Sequence, residues 1–293
     1  MSEASRVAVG TAQFGLDYGI ANASGRVPAA EVRDILERAA AHGLDTVDTA
    51  IAYGQSESSL GSAGVRGWRV ITKLPPLPAG IGTGSLSAWV RDQLAGSLRR
   101  LRTEQLEAVL LHRPADLLGP HAEEYWQALG EVKHRGLTRR VGVSIYDPAE
   151  LDALWRTRRP EIVQAPCNVL DRRLVRSGWL DRLGAEGIRV HVRSVFLQGL
   201  LLLADRRPAR FDPWAALLDR WSRWCGERAI SPLQGALAYA LQLPAVERVV
   251  IGVDSAAHLE EVLALAARPA PSPPEDLSTE DRGLIDPSRW PAA

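Results

Sequence analysis

Short apolar runs recur along the chain, at residues 7–10, 44–47, 68–71, 106–111, 140–143, 162–165, 189–192 and 248–251. Their length and β-branched content predict strands. Between them lie stretches whose apolar residues return at helical spacing, among them 30–42, 85–101, 123–135, 148–156, 179–186 and 256–266. Strand alternating with helix predicts parallel pairing through right-handed crossovers. Eight such units in 293 residues predict an α/β protein, a single-domain (β/α)8 TIM barrel spanning 1–293. An open, doubly wound sheet is the alternative. Against it, Gly10-Thr11-Ala12-Gln13-Phe14-Gly15 after the first run lacks the GxGxxG turn of a dinucleotide-binding sheet.

Two regions depart from the repeat. Residues 211–243 have room for two helices, with Ser231 or Pro232 restarting the second, so one helix before the last strand is additional to the eightfold pattern. From Arg268 the run Pro269-Ala270-Pro271-Ser272-Pro273-Pro274 cannot continue a helix, and 268–293 reads as a C-terminal tail over the surface. Its end, Leu284-Ile285-Asp286-Pro287-Ser288-Arg289-Trp290, is apolar enough to dock.

Composition narrows the function. With 35 basic and 35 acidic residues there is no global field to favour nucleic acid or an anionic membrane. A small, neutral or modestly charged substrate is the partner expected, and the oligomeric state stays open. Cys167 and Cys225 are too few and too far apart for a disulfide framework or a zinc cluster, and no metal site is expected. The amino terminus passes at once into a strand, and no apolar stretch reaches the roughly 20 residues of a membrane helix. A cytoplasmic protein is the expectation.

Candidate chemistry gathers at strand ends. Asp48, Tyr53, Lys73 and His112 each lie at or just past the carboxyl end of a run, the face on which such barrels carry their active sites. Only Lys73 and Lys133 among the basic residues are lysines, so a compact ammonium is singled out at position 73. A phenol of pKa about 10 gives up its proton poorly at neutral pH, and a neighbouring cation favours the phenolate. Tyr53 then serves as general acid, Asp48 holds Lys73, and a neutral His112 orients a carbonyl or relays a proton. Such a site lacks an electron source, which a bound hydride donor would supply.

The stretch Asp48-Thr49-Ala50-Ile51-Ala52-Tyr53-Gly54-Gln55-Ser56-Glu57, followed by Leu60-Gly61, resembles the signature of the aldo-keto reductases, with Thr72-Lys73 and Leu111-His112 matching that family's catalytic lysine and histidine. The resemblance implies a (β/α)8 barrel reducing an aldehyde or ketone with a nicotinamide dinucleotide. Gln164 and Asn168 resemble the segment that holds the nicotinamide carboxamide. Ser144 matches a serine of the same set, although Ile145 replaces the usual asparagine. The run from Arg193 and Ser194 through Gln198 and Gly199 resembles the segment over the nicotinamide and pyrophosphate, with Arg193 in place of a stacking tyrosine. Gly252, Asp254, Ser255 and Glu261 resemble the adenosine-phosphate clamp, and Val262 replaces an asparagine.

The family default implies NADP(H). Asp254 stands where a cation that pairs with the 2′-phosphate is common, which pulls toward NAD(H), but Arg268 or His258 could compensate, so NADP(H) is the expectation and NAD(H) the alternative. The phrase Gly10-Thr11-Ala12-Gln13-Phe14-Gly15-Leu16-Asp17-Tyr18-Gly19-Ile20 resembles a bacterial branch of mostly unassigned, sugar-related substrate. Phe14, Asp17 and Tyr18 are candidates for the pocket mouth, and His191 is expected as a satisfied core imidazole. Two other readings stand beside reduction: a cofactor-binding regulatory subunit or redox sensor, and a lyase using Lys73 as a Schiff-base nucleophile.

Overall fold

A computed structural model describes residues 3–22, 24–82 and 84–290. Eight parallel strands close into a barrel in sequence order, with the first hydrogen-bonded to the eighth. The strands are β1 (Val7–Gly10), β2 (Thr46–Asp48), β3 (Arg69–Leu74), β4 (Ala108–Leu111), β5 (Val141–Ser144), β6 (Ile162–Pro166), β7 (Arg189–Arg193) and β8 (Val246–Gly252). Most are buried on both faces, which is why they read as continuous apolar runs without alternation. At the carboxyl rim Gly10 is in register with both Asp48 and Gly252, so the β1, β2 and β8 ends share one floor.

The helices are α1 (Ala29–Ala41), α2 (Ser56–Ala63), α3 (Leu86–Leu101), α4 (Ala122–His134), α5 (Ala149–Leu154), α6 (Arg173–Arg176), α7 (Trp179–Ala185), α8 (Ala215–Glu227), α9 (Pro232–Leu241), α10 (Ala256–Ala266) and α11 (Arg282–Ile285). The additional helix is present, since α8 and α9 both precede β8. Ser231 caps α9, its hydroxyl accepting from Gln234 N at 3.1 Å, and Pro232 fills the first helical position. Among the described residues no helix is long and apolar enough to cross a membrane.

Two boundaries differ from the sequence pattern for local reasons. Leu44 belongs to the turn that ends α1, because its N–H donates to Ala39 O at 2.9 Å while Gly43 takes a left-handed φ of 77°. β2 therefore starts at Thr46. Strand alternation implied a helix between β2 and β3, but the apolar pattern gave no range for it; α2 lies there. Its sequence, SESSLGSA, has almost no apolar stripe, because this helix buries Ser56, Glu57 and Gly61 along with Leu60.

The tail is tied down along its length. Buried Arg172 donates to Pro273 O at 3.1 Å and Pro274 O at 2.9 Å, with its guanidinium 4.8 Å from the Tyr239 ring. Leu277, Leu284 and Ile285 are buried, and Trp290 meets Phe211 edge-on at 4.9 Å. Residues 291–293 of the tail lie outside the described residues.

Candidate active site

Strand geometry brings Asp48, Lys73 and His112 to one rim: Asp48 ends β2, Lys73 is the penultimate residue of β3, and His112 follows β4. Tyr53 reaches them from the β2–α2 loop. Lys73 is fully buried, donating to Asp48 Oδ1 at 2.6 Å and to Thr49 O at 2.9 Å. Burial opposes its charge, but the Asp48 carboxylate and Tyr53 outweigh it and raise the Lys73 pKa. The ammonium stays protonated, 5.1 Å from the Tyr53 ring centroid. His112 meets Tyr53 edge-on, with ring centroids 5.8 Å apart. Burial, then the positive charges of Lys73 and Arg193, push its pKa down to about 3, so its imidazole is neutral at ordinary pH.

Beyond the reactive groups, the signature has a scaffolding half. Ser56 donates to Thr11 O and to Thr11 Oγ1, each at 2.8 Å, joining α2 to the end of β1. Glu57, 2% exposed, accepts from Thr72 Oγ1 at 2.6 Å and from Arg100 Nε at 2.8 Å, and also from Ser97 Oγ. One carboxylate thus ties the start of α2 to β3, beside Lys73, and to α3. A Cβ on Gly61 would stand 2.0 Å from Arg100 O, so only glycine lets α2 approach α3 this closely.

The cluster opens into a cavity of about 370 Å³ walled by the loops after β1, β7 and β8. Asp48, Tyr53, His112, Arg193, Ser194, Gln198, Gly199, Gly252 and Asp254 line it. Gln164 and Ser144 are buried beside it: Gln164 Nε2 donates to Asp48 Oδ2 at 2.7 Å, and Ser144 Oγ donates to Gln164 Oε1 at 3.3 Å. Gln164 therefore holds Asp48 from the side opposite Lys73. Asn168 is fully buried and works within its own loop, accepting from Leu170 N and Asp171 N and donating to Ser194 O. Ser255 caps α10, its hydroxyl accepting from His258 N at 3.1 Å. Glu261 is exposed on α10, and Val262 is wholly inside the core.

The 194–199 segment is conformationally unusual. Ser194, Leu197 and Gln198 take left-handed φ values of 58°, 48° and 54°, and Gly199 follows at 92°. Each non-glycine residue there costs of order 1 kcal/mol, a strain typical of functional loops. A contact with the β1 loop holds it, as Ile20 N donates to Gln198 O at 3.0 Å and Gln198 Nε2 to Tyr18 Oη at 3.3 Å. Arg193 lies with its guanidinium 4.6 Å from the Tyr146 ring centroid, donating to Ile145 O at 3.0 Å and Ser194 Oγ at 3.2 Å.

Several pocket features had no sequence signal. Gln13 lines the cavity, and its Oε1 is buried with no hydrogen-bond partner among the described residues. A Cβ at Gly252 would lie 2.4 Å from Gln13 Nε2, so that glycine makes room for the amide. Tyr146 shares the mouth with Tyr18, whereas Phe14 is buried in the core and Asp17 stands outside the cavity. At the start of α10, Ala256 N donates to Glu31 Oε1 at 2.6 Å, and His258 Nδ1 pairs with Asp254 Oδ1 at 3.0 Å. His191 corrects an expectation: it is buried, but among the described residues its Nδ1 has no hydrogen-bond partner. Burial, then Arg248, Arg189 and Lys73, hold its pKa near 3.

Comparison with known proteins follows the same lines. The Aldo/keto reductase family profile matches residues 6–278. The chain is 32% identical over 187 residues to aflatoxin B1 aldehyde reductase member 2 of Rattus norvegicus, a match covering 59% of this chain and 48% of that protein. It spans about half the length of the curated relatives it matches. In fold it is similar to an aldo-keto reductase from Bacillus halodurans, with a TM-score of 0.73 and 20% identity over 97% of this chain and 95% of that one. It is also similar to a glycerol dehydrogenase from Gluconobacter oxydans, with a TM-score of 0.70 and 22% identity over 93% and 88% of the two chains. With its signature, its barrel and a profile match over nearly its whole length, the chain belongs to the aldo/keto reductase family.

Proposed function

We propose that this protein reduces an aldehyde or ketone by hydride transfer from a nicotinamide dinucleotide, with Tyr53 as the general acid. The observation that carries this reading is the Asp48–Lys73 pair at 2.6 Å, buried beside the Tyr53 ring. Tyr53 gives its proton to the carbonyl oxygen as that oxygen becomes an alkoxide. The fixed Lys73 ammonium stabilises the phenolate left behind, at no cost in reorganisation. Neutral His112 offers a hydrogen bond to the same oxygen without competing for the proton. Lys73 is poorly suited to a Schiff base, since Asp48 and Thr49 O keep it charged.

The cavity fits a dinucleotide on two grounds. Gln13 Oε1 is a buried acceptor in need of a donor, and the strained 194–199 segment lines the cavity with Ser194, Gln198 and Gly199. Ser194, Gln198, Gly199, Gly252 and Gln13 would hold the cofactor, which supplies the hydride. Gln164 and Ser144 serve through Asp48. Asn168 serves by fixing Ser194.

We further propose NADH as the preferred form. Asp254 and Glu31 place two carboxylates at the start of α10, and His258, which could have offset them, is committed to Asp254. A 2′-phosphate would meet that charge, whereas ribose hydroxyls would find acceptors. Arg268, the other cation that could have compensated, lies past the carboxyl end of α10, at the end opposite Asp254.

Replacing Tyr53 with Phe tests the chemistry: reduction should fall by at least about a thousandfold while NADH still quenches tryptophan fluorescence. Undiminished turnover would overturn the assignment. For the cofactor, NADH should bind more tightly than NADPH, and Asp254→Arg should reverse the order; an unaltered preference would refute the charge argument.

A further inference from the structure

Hydride transfer changes the charge of the cofactor as well as of the substrate. The donor's C–H bond breaks with both electrons, a new C–H bond forms at the carbonyl carbon, and the alkoxide takes the Tyr53 proton. A dihydronicotinamide is neutral; the oxidised ring it leaves is a cation. That positive charge arises in the cavity that holds Tyr53 and His112, because donor and carbonyl must touch there.

The cavity already contains one cation with no counter-charge. Asp48 is spent on Lys73, and Asp254 pairs with His258 at 3.0 Å. Arg193 lines the same cavity, yet among the described residues no carboxylate lies within ion-pairing distance of it. Its hydrogen bonds go to neutral acceptors, Ile145 O and Ser194 Oγ, and its guanidinium lies against Tyr146. The charge reaches the reaction centre, since it is one of those that disfavour protonation of His112. Phe196 and Leu202 keep this part of the wall apolar.

We infer that Arg193 makes the pocket discriminate between the two redox states of its cofactor, holding the reduced dinucleotide and expelling the oxidised one. The inference rests on the carbonyl-reductase reading. At an effective dielectric near 20, two like unit charges separated by about 5 Å are worth a factor of about 300 in affinity. Contact with Tyr146 and water at the mouth reduce this to an expected tenfold or more. Arg193 is then a specificity-determining residue: oxidised cofactor does not accumulate on the enzyme, and product inhibition is weak in the reductive direction.

The test is equilibrium binding of NADH and NAD⁺, followed by calorimetry, to the parent protein and to Arg193→Met, Arg193→Gln and Arg193→Lys. The expected result is that the ratio of the Kd for NAD⁺ to the Kd for NADH falls at least tenfold in both neutral variants. In Arg193→Lys it should stay within about threefold of the parent value. A ratio unchanged by both neutral variants, or a uniform loss of affinity for both forms, overturns the inference and leaves Arg193 a positioning residue for Ile145. Failure of the parent to bind either dinucleotide would instead refute the proposed function itself.

Discussion

On the β2–β4 side of the pocket the buried charges are matched. Lys73 sits against Asp48, Asp48 also accepts from Gln164, and Glu57 beneath them is hydrogen-bonded to Thr72, Ser97 and Arg100. On the side formed by β7, β8 and the β1 loop, the opposite holds. Among the described residues Gln13 Oε1 has no hydrogen-bond partner and Arg193 donates to neutral acceptors, and Ser194, Leu197 and Gln198 are held left-handed. The contrast separates two kinds of preorganisation. Asp48, Lys73 and Gln164 are fixed by the folded chain itself, so they need no ligand to assemble. The facing wall carries unmet hydrogen-bonding capacity, charge and strain, all of which a bound molecule can relieve.

Substitutions on the matched side should therefore cost stability and turnover together. Lys73→Met is expected to lower reduction by at least about a thousandfold and, by leaving the Asp48 carboxylate buried and unpaired, to cost about 3–5 kcal/mol in urea unfolding. The double change Asp48→Asn with Lys73→Met should recover much of the stability and none of the activity. Recovery of neither would mean that the pair is not held as described.

Glu57→Ala comes next. It strands three donors and should cost about 2–4 kcal/mol, with turnover reduced only through slackening of α2 and the Tyr53 loop. Stability equal to the parent's would remove Glu57 from the scaffold.

The two depressed imidazoles give a pH-dependent effect. In the unfolded chain His112 and His191 take up protons near pH 6.5, but in the folded chain only near 3. Unfolded chain binds more protons in that window, so stability is complete above about pH 6.5 and declines as pH falls toward 3. Melting temperatures from pH 7.5 to 4 should show this decline, and it should be shallower in His191→Gln. Turnover should show no inflection near 6.5 from His112.

The smallest effect belongs to the unmatched side. Gln13→Met should leave the unliganded protein as stable as the parent or slightly more so, since it removes an unsatisfied buried acceptor, while NADH affinity falls up to about tenfold. A large loss of stability without loss of affinity would show that the amide serves the fold.

The same division decided what could be read from the sequence. Strands buried on both faces announce themselves as apolar runs, and Asp48, Lys73 and His112 were legible because their positions follow from strand ends alone. Signals failed where polar residues do the packing. Helix α2 was hidden because Ser56 and Glu57 replace an apolar stripe, and His191 looked satisfied because nothing in a sequence reports a missing partner. Glu31 comes from the first turn of α1 and Tyr146 from the loop after β5, and their meeting with Ala256 and Arg193 depends on barrel closure. Resemblance to the family marked Arg193 and Asp254 as departures, but only the placement of neighbouring charges gives those departures a direction.

Closure of the barrel also fixes an order of events during synthesis. β1 has β2 as an early partner, but its other edge waits for β8, with Val7 opposite Val249 and Gly10 opposite Gly252. That edge can be paired only once residues 246–252 have been made, and until then it presents unsatisfied backbone groups.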